Sequence, residues 1–404
     1  MQHELLFQDS VLDQIDALTE QMHKWEVQPD LDEKTQEEIR KRITPFSHTT
    51  RRYDLKVVGA DGSGEYPLLN YADSFVYLVT AKGVGYISDE ITGLKELAGH
   101  VPLVDFPWLP SDREKARSEL MNCFQRLTGH EVLQIIEESD YRHMKEEIGV
   151  RTSPKALLKD LVVPPAHQGD NHRIQMMSVG ELSACLRWIE SDDPNPDYVL
   201  YDGTLSLPFL NGPTSLFFEH LKRYCCVRAR DRDVVFLCFS KSHGLRSIET
   251  LEQLAQETFG LQKYEIAEHW YLRFPIFGKD PWDFPLIDGR NLPPAGAVTY
   301  LVRFHRSTPI YRIDVDKKYW DSEIWSADPE LIQRREQKIF ADLDYTCHDQ
   351  RSYGYPYPMK SAHDRASLTK QEREAFRSKV ISAATKRGMQ RSLFRDASVM
   401  SGHA

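Results

Sequence analysis

The chain has 404 residues, of which 41% are hydrophobic and 28% are charged, and its formal net charge is −10. This length allows two or three domains or one elaborated domain, and the composition is that of an ordinary folded globular protein. The negative charge argues against a protein that coats DNA through bulk positive charge, although a local basic patch or a partner can still supply phosphate contacts.

Neither a membrane segment nor a secretory leader is predicted. No apolar run approaches the roughly 20 residues that a membrane helix needs, and the first residues lack a basic region followed by an apolar one. We therefore expect a cytoplasmic protein without membrane contact. The six cysteines form no C-x-x-C pair, which favours buried core thiols over a zinc site or a disulfide framework.

The first half of the chain predicts helices, then strands, then helices again. Residues 9–42 have apolar side chains at helical spacing and predict one or two helices. These helices form either an arm that packs on another subunit or across the core, or a solvated pair on the surface. Three strands follow at 54–60, 74–82 and 84–88, the last two joined at Gly83, and such close succession favours an antiparallel meander. Residues 100–170 are rich in charge and helix formers and predict a helical insertion, with helix starts at Ser111-Asp112 and Ser153-Pro154.

The second half alternates between helical and strand patterns, which predicts an α/β class with a mixed sheet. Helices are predicted at 179–190, 215–223 and 248–259, and strands at 198–201, 233–240, 270–277, 297–305 and 310–315.

Two aspartates, Asp61 and Asp202, each follow an apolar strand pattern and precede a Gly and a hydroxyl residue. One such motif is typical of a turn, but two in one chain favour a ligand or metal site at the strand ends. The glycine would let the backbone come close to a ligand.

The order of the elements adds a third acid. A meander that begins with Asp61, a helix that carries Glu181 and a strand that carries Asp202 follow the order of a ribonuclease H-like core. In such a core, three carboxylates converge on two divalent cations that clamp the attacking and leaving oxygens of a phosphoryl transfer. Oxygen ligands suit Mg²⁺ or Mn²⁺. Glu190 is the competing acid on the same predicted helix.

Two other phosphate chemistries lack their residues. The V-L-Y-D-G-T segment is similar to the D-x-D-G-T motif of phosphoaspartate enzymes, but Leu200 stands at the position of the nucleophile. A phosphatase is therefore disfavoured. No G-x-x-x-x-G-K-[ST] segment exists, so the chain is not a P-loop ATPase.

Several motifs together resemble a known nuclease family. They are A-D-G-S at 60–63, Glu181, L-Y-D-G-T-L at 200–205, F-S-K-S at 239–242, Y-R-I-D at 311–314 and G-Y-P-Y-P-M-K-S-A-H at 354–363. The last is the most specific, because it sets a Tyr and a His eight residues apart in a Gly-Tyr-Pro…Ala-His frame. From about Tyr53 to His363, this order and spacing resemble the NurA-domain nucleases, the partners of the HerA hexameric DNA translocase.

The resemblance implies a function and a site. It implies a Mn²⁺- or Mg²⁺-dependent DNA nuclease, acting as a 5′ to 3′ exonuclease and a single-strand endonuclease, that works as a homodimer on a HerA-type ATPase in DNA-end processing, repair or phage defence. Asp61, Glu181 and Asp202 would be the metal carboxylates, and Tyr355 and His363 would match the family's C-terminal pair. His363 could bind metal or carry a proton, Tyr355 could orient a phosphate, and Lys241 at a strand end could stabilise phosphate charge.

The sequence departs from the family pattern at three places. Thr204 stands where Ser is more usual, Asp314 stands where a longer acid is expected, and the loop at 191–197 lies between the helix of Glu181 and the strand of Asp202. The alternative function is a non-catalytic scaffold of the same fold that binds the translocase and DNA, which the intact acids disfavour.

The resemblance and the composition together predict three regions. An N-terminal helical arm covers residues 1–50, the nuclease domain with its ribonuclease H-like core covers 51–363, and a basic helix and tail cover 364–404. Residues 365–404 carry nine Lys or Arg against three Asp or Glu. The predicted helix at 369–387 could therefore meet DNA phosphates or an acidic partner.

Overall fold

The computed structural model describes residues 9–26, 32–48, 50–72, 74–89, 93–147, 149–150, 169–207, 210, 216–241, 248–262, 265–276, 279–280 and 295–395. The helices are α1 (Asp9–Glu26), α2 (Glu33–Arg42), α3 (Arg113–Thr128), α4 (Val132–Glu138), α5 (Tyr141–Glu147), α6 (Gly169–Ile189), α7 (Phe217–Asp231), α8 (Ile248–Thr258), α9 (Lys317–Tyr319), α10 (Pro329–Cys347), α11 (Tyr357–Ala366) and α12 (Lys370–Lys386). A π-helical turn at Trp320–Ile324 follows α9, and a 3₁₀ turn at Arg391–Leu393 follows α12.

The strands are β1 (Ile43–Pro45), β2 (Lys56–Tyr71), β3 (Ser74–Asp89), β4 (Gly93–Glu96), β5 (Leu103–Asp105), β6 (Trp108–Leu109), β7 (Tyr198–Asp202), β8 (Val235–Ser240), β9 (Trp270–Arg273), β10 (Ala297–Arg303), β11 (Tyr311–Asp316), β12 (His348–Asp349), β13 (Ser352–Tyr353) and β14 (Phe394–Arg395).

One mixed sheet organises the fold. Twelve strands form it, with the order β1-β9-β10-β11-β8-β7-β2-β3-β4, while β5 and β6 pair with β3 and β14 pairs with β2. The pairs β2–β7 and β7–β8 are parallel, and the other pairs are antiparallel. The α/β class with a mixed sheet flanked by helices is therefore confirmed.

The central strands bury both faces, because their side chains alternate. On one face Val58, Val199 and Phe236 pack in a core with residues of α3, α6 and α7. On the other face Val57 and Leu200 pack with residues of β10, β11, α10 and α11. Each central strand therefore reads as a nearly continuous apolar run.

Two strand predictions are wrong in their boundaries. The strand predicted to stop before Asp61 continues to Tyr71, because β3 goes on pairing with β2 beyond Asp61. The two strands predicted to join at Gly83 are the single strand β3. Gly83 makes no turn; a Cβ there would lie 2.4 Å from the indole of Trp188, so the glycine makes room for that ring.

The predicted helices are present where residues are described, but α6 begins at Gly169 rather than at 179 and α7 continues to Asp231 rather than ending at 223. α1 and α2 replace the predicted pair at 9–42, and the Asp112 side chain caps α3 by accepting a hydrogen bond from the Lys115 amide. The predicted helical insertion begins with two short strands, β5 and β6, before α3 to α5. Its predicted helix start at Ser153-Pro154 lies outside the described residues. α12 begins with a capping box between Thr369 and Glu372.

α10 is the main element that the sequence analysis missed. It begins with Asp328 as N-cap and Pro329 in its first turn, which are ordinary start signals. All six cysteines are buried, as predicted. Within the described residues no helix combines the length and apolar character that crossing a bilayer requires.

Candidate active site

Asp61 and Asp202 lie side by side on neighbouring parallel strands. The parallel register of β2 and β7 runs to Ala60 opposite Tyr201, so each aspartate is the next residue after the last pair. Alternation along the strands puts both side chains on the face that α11 covers, because Val57 and Leu200 point to that side. The carboxylates therefore meet although a long stretch of chain separates them.

Glu181 approaches the same point from the opposite face. It lies on α6, and its side chain occupies the space where a Cβ of residue 62 would be, with Glu181 Cγ only 2.6 Å from that position. Gly62 thus makes room for a protein carboxylate, whereas the sequence analysis assigned the glycine to a ligand. Glu181 is only 5% exposed.

Glu181 and Asp202 both bind protons more tightly than usual. Burial raises the pKa of Glu181 well above its ordinary value, and the charges of Asp61 and Asp202 raise it further. Burial also raises the pKa of Asp202, as does Asp61, while Lys241 and His363 oppose the rise. A cation bound among these groups would offset both the cost of burying the charged carboxylates and their mutual repulsion.

α11 brings His363 to Asp61. The helix packs so closely on β2 that a Cβ at Gly59 would lie 2.4 Å from the backbone of Pro358 and Met359. One helical turn later, His363 Nδ1 is 2.5 Å from Asp61 Oδ2. A carboxylate only accepts, so Nδ1 donates, and the Nε2 of the neutral ring keeps a free lone pair. The imidazole is 60% exposed.

Tyr355 and Lys241 line the same site. The Lys241 ammonium lies 4.6 Å from the centre of the Tyr355 ring. Burial raises the pKa of Tyr355, and the negative charges of Asp202 and Asp61 add to the rise. The ring packs edge-on against Phe239 at 5.3 Å. Lys241 follows the last residue of β8, the strand that pairs with β7.

Other acids named from the sequence have structural partners. Glu190 binds Arg228 Nε and His130 Nε2, each at 2.9 Å, at the far end of α6. Asp314 is buried and accepts hydrogen bonds from the Leu205 amide and the Thr299 hydroxyl. It therefore holds the segment that follows Asp202.

The hydroxyl residues of the predicted motifs take different places. The Thr204 hydroxyl is 3.0 Å from that of Ser206, in the segment after β7. Ser242 lies outside the described residues. Gly59 was not predicted as a site residue, although the G-x-x-G spacing around Asp61 sets its two glycines on opposite faces of the strand.

The donor set fits hard divalent cations. Asp61, Glu181 and Asp202 offer carboxylate oxygens, the ligands that Mg²⁺ and Mn²⁺ prefer, and His363 offers an imidazole nitrogen. Their ligand atoms do not all lie within the 4.8 Å that suits one shared ion. Two cations about 3.5–4 Å apart would call for a wider arrangement of ligands.

Comparisons with known proteins give distant likenesses. No protein-family model and no curated protein matches the sequence. The chain is similar over most of its length to solved structures of NurA nucleases. The NurA nuclease from Sulfolobus solfataricus is 14% identical, with a TM-score of 0.48 and coverage of 94% of this chain and 97% of that one. A NurA structure with manganese is 13% identical, with a TM-score of 0.39 and coverage of 90% and 96%. A NurA structure bound to dAMP and manganese has a TM-score of 0.33 at 13% identity and coverage of 89% and 92%. These likenesses are too distant to assign an activity to this chain.

Proposed function

We propose that the protein is a metal-dependent DNA nuclease, of the 5′ to 3′ exonuclease and single-strand endonuclease type, with a two-metal mechanism. The observation that carries the proposal is the convergence of Asp61, Glu181 and Asp202 from two strands and a helix, with His363 bonded to Asp61. The core is proposed to be ribonuclease H-like. The order β4-β3-β2-β7-β8, with an antiparallel meander followed by two parallel strands, supports this.

Asp61, Glu181 and Asp202 would hold the cations, with His363 as a further ligand through Nε2. When bound, divalent cations supply charge that stabilises the developing phosphate and lowers the pKa of the attacking water. Burial and the negative charges of Asp61 and Asp202 raise the pKa of Glu181, so the positive charge of a bound cation would favour its ionised form.

The neighbouring side chains have distinct roles in this proposal. Asp61 orients the imidazole of His363 through Nδ1, which leaves Nε2 to bind metal or to accept a proton from water. Lys241 stabilises the non-bridging phosphate oxygens, and its ammonium is positioned over the Tyr355 ring. The Tyr355 hydroxyl stays protonated, because burial raises its pKa, and so it donates a hydrogen bond to phosphate.

A cleft beside this site offers a path for the DNA backbone. It has a volume of about 260 Å³, lies between β3 and α12, and is lined by Lys82, Arg365 and Lys379 among other residues. Lys82 pairs in register with Asp61 on the neighbouring strand, and Arg365 follows His363 by two residues. Arg365 is paired with Glu96, so the local positive charge proposed to meet DNA phosphates is that of Lys82 and Lys379.

The partner proposals rest on the sequence motifs. We propose a homodimer that docks on a HerA-type hexameric ATPase, acts in DNA-end processing or phage defence, and has a separate N-terminal arm, nuclease domain and basic tail. On α1, Leu12, Ile15, Leu18 and Met22 are between 45% and 54% exposed. Apolar side chains at helical spacing on an exposed face are typical of an interaction surface, which fits the predicted arm.

The test is DNA degradation by the purified protein. Linear DNA with a label at either the 5′ or the 3′ end is incubated with Mn²⁺, Mg²⁺ or EDTA, beside Asp202→Asn and Asp61→Asn variants. We expect degradation that requires metal, release of the 5′ label first, and loss of activity in both variants. The Glu190→Gln variant is a matched control, because this competing acid binds Arg228 and His130 at the far end of α6.

The scaffold alternative predicts a different outcome. If the wild-type protein degrades no DNA under any metal, the assay is repeated with the ATPase present. Activity that then appears and is lost in Asp202→Asn supports the nuclease. Continued silence, with DNA still bound, supports the scaffold and contradicts the proposal.

A further inference from the structure

Four metal-ligating side chains come together on the part of the fold built from β1, β9 and α10. His48, His269, Asp344 and His348 each offer one ligand atom, and these atoms all lie within 4.8 Å of one another. Across the described ranges of the chain, this is the only set of three or more His, Cys, Asp or Glu residues with that spacing. It shares no residue with the Asp61 site.

The buried carboxylate of Asp344 is the centre of the cluster. His48 Nδ1 lies 2.9 Å from Asp344 Oδ2. His348 Nδ1 lies 2.9 Å from the backbone oxygen of Asp344 and 3.2 Å from its Oδ1, which leaves His348 Nε2 as the nitrogen for an ion. His269 Nε2 lies 3.6 Å from the same Oδ1 and has no hydrogen-bond partner among the described residues, although it is buried. A buried imidazole nitrogen without a hydrogen bond costs free energy, and a bound cation would satisfy it.

The three imidazoles pack directly on one another. The ring centres of His48 and His348 are 4.3 Å apart, those of His48 and His269 are 4.9 Å apart, and those of His269 and His348 are 5.5 Å apart. Three rings and one carboxylate thus place four candidate ligand atoms within 4.8 Å of one another. In the absence of a cation, the ring nitrogens of the three histidines compete for the few hydrogen-bond acceptors near them.

The backbone brings the ligands from distant parts of the chain. Asp344 and His348 are four residues apart at the end of α10 and so lie on one face. The β1–β9 pairing extends through a hydrogen bond from the Phe46 amide to the His269 carbonyl, which places His48 beside them. A metal ion here would tie the N-terminal segment to the sheet and to α10.

We propose that His48, His269, Asp344 and His348 form a structural site for a divalent transition-metal ion of the Zn²⁺ class. Three nitrogens and one oxygen fill a tetrahedral coordination shell and leave no open position, which is typical of structural rather than catalytic zinc. Imidazole ligands favour Zn²⁺ over Mg²⁺ or Mn²⁺. In a tetrahedral site with bonds of about 2.0–2.1 Å the ligand atoms are about 3.4 Å apart, so side-chain rotations that bring pairs of ligand atoms closer by up to about 1.4 Å close the cluster.

The ion has a route to the site. The His48 side chain is 40% exposed, whereas the Asp344 side chain is fully buried. His48 can therefore rotate outward to admit the ion and return as the last ligand. It is also the ligand whose replacement disturbs the core least.

The test measures zinc binding directly. Asp202→Ala protein, which lacks one carboxylate of the nuclease site, is stripped with a chelator and titrated with Zn²⁺ by calorimetry in excess Mg²⁺. We expect one tightly bound Zn²⁺ per chain and a rise in melting temperature on binding. His48→Gln and His348→Gln in the same background should weaken binding at least about tenfold. His305→Gln is the matched control, because its ring centre is 5.9 Å from that of His348 but it is not one of the four ligands.

Co²⁺ substitution adds a readout of geometry. A tetrahedral site with nitrogen ligands gives intense visible absorption, and we expect that spectrum to disappear in His48→Gln, whose folding is checked by circular dichroism. No saturable Zn²⁺ binding in the Asp202→Ala background would overturn the proposal. Equal affinity in His48→Gln, His348→Gln and His305→Gln would overturn it as well.

Discussion

Replacing Gly59 with alanine should move α11 and with it His363. The added methyl group would lie 2.4 Å from Met359 N and Pro358 C, whereas ordinary contact begins at 3.4 Å. Because both contacts are backbone atoms, no side-chain rotation relieves them. The helix must retreat by about 1 Å, as expected for an overpacked interior.

Two magnitudes follow from this displacement. Overpacking of this kind should lower the free energy of unfolding by about 1–3 kcal/mol. A shift of about 1 Å in a catalytic group can cost about 100-fold in rate, so we expect Gly59→Ala to lose nuclease activity by about that factor. Urea denaturation measures the first quantity, and the rate of release of the 5′ label measures the second.

Gly64→Ala separates the two effects. Gly64 is on the same strand, and its added Cβ would lie 2.2 Å from the Leu78 carbonyl oxygen on β3, away from α11. It should therefore destabilise the protein while keeping a rate much closer to that of the wild type. If Gly59→Ala and Gly64→Ala lose activity equally at equal stability, the argument that α11 positions His363 is refuted.

The remaining predictions concern stability and one hydroxyl. Burial, with a smaller effect of Lys145, lowers the pKa of His220 to about 3, so the unfolded chain binds the extra proton between about pH 6.5 and 3. The free energy of unfolding should therefore fall as the pH drops through that window, by up to about 5 kcal/mol from this residue. The urea midpoint should fall less steeply with decreasing pH in His220→Gln than in the wild type. Equal dependence of the two midpoints on pH would contradict the reasoning. Arg223 is fully buried and donates to Asp140 and Asp316, so Arg223→Met should cost about 3–5 kcal/mol in urea denaturation. Arg230→Met should cost less, because Arg230 pairs with the same acids but is 22% exposed; the reverse order would be evidence against this explanation. Tyr355→Phe should leave the free energy of unfolding unchanged and lower the nuclease rate at least about tenfold, as expected when one hydrogen bond to the transition state is lost. An unchanged rate would mean that Tyr355 only packs against its neighbours.

Local patterns in the sequence were sufficient to predict many of the strands and helices. Apolar runs located the central strands, and Asp112 marked a helix start because its side chain caps the first turn. The boundary of β2 was missed because a strand ends where its partner ends, and that partner, β3, is set by tertiary pairing. Gly83 was assigned to a turn because its packing against Trp188 has no local signal.

The candidate site was predictable only where residues share a motif. Asp61 and Asp202 stand in recurring Asp-Gly contexts, and the register of two parallel strands decides that they meet. The competition between Glu181 and Glu190 could not be resolved from the sequence, because both are acids on one helix. The structure shows Glu190 with basic partners and Glu181 facing two aspartates.

The histidine cluster has no such local signature. His48, His269 and Asp344 come from widely separated parts of the chain, and no spacing rule joins them. Only the pair Asp344 and His348, four residues apart at the end of α10, is visible as a pattern. Because α10 was not predicted, the helical spacing of this pair was not recognised either.

The contact between His363 and Asp61 joins residues 302 positions apart. During synthesis, His363 emerges from the ribosome long after Asp202, the last of the three acids. At roughly 5–20 residues per second this interval is on the order of ten seconds, during which the nascent chain holds its three acids without the histidine. A chain terminated early would therefore release a polypeptide that has the carboxylates but cannot complete the centre. If the proposed nuclease centre needs His363, cutting activity would appear only after that residue has been made.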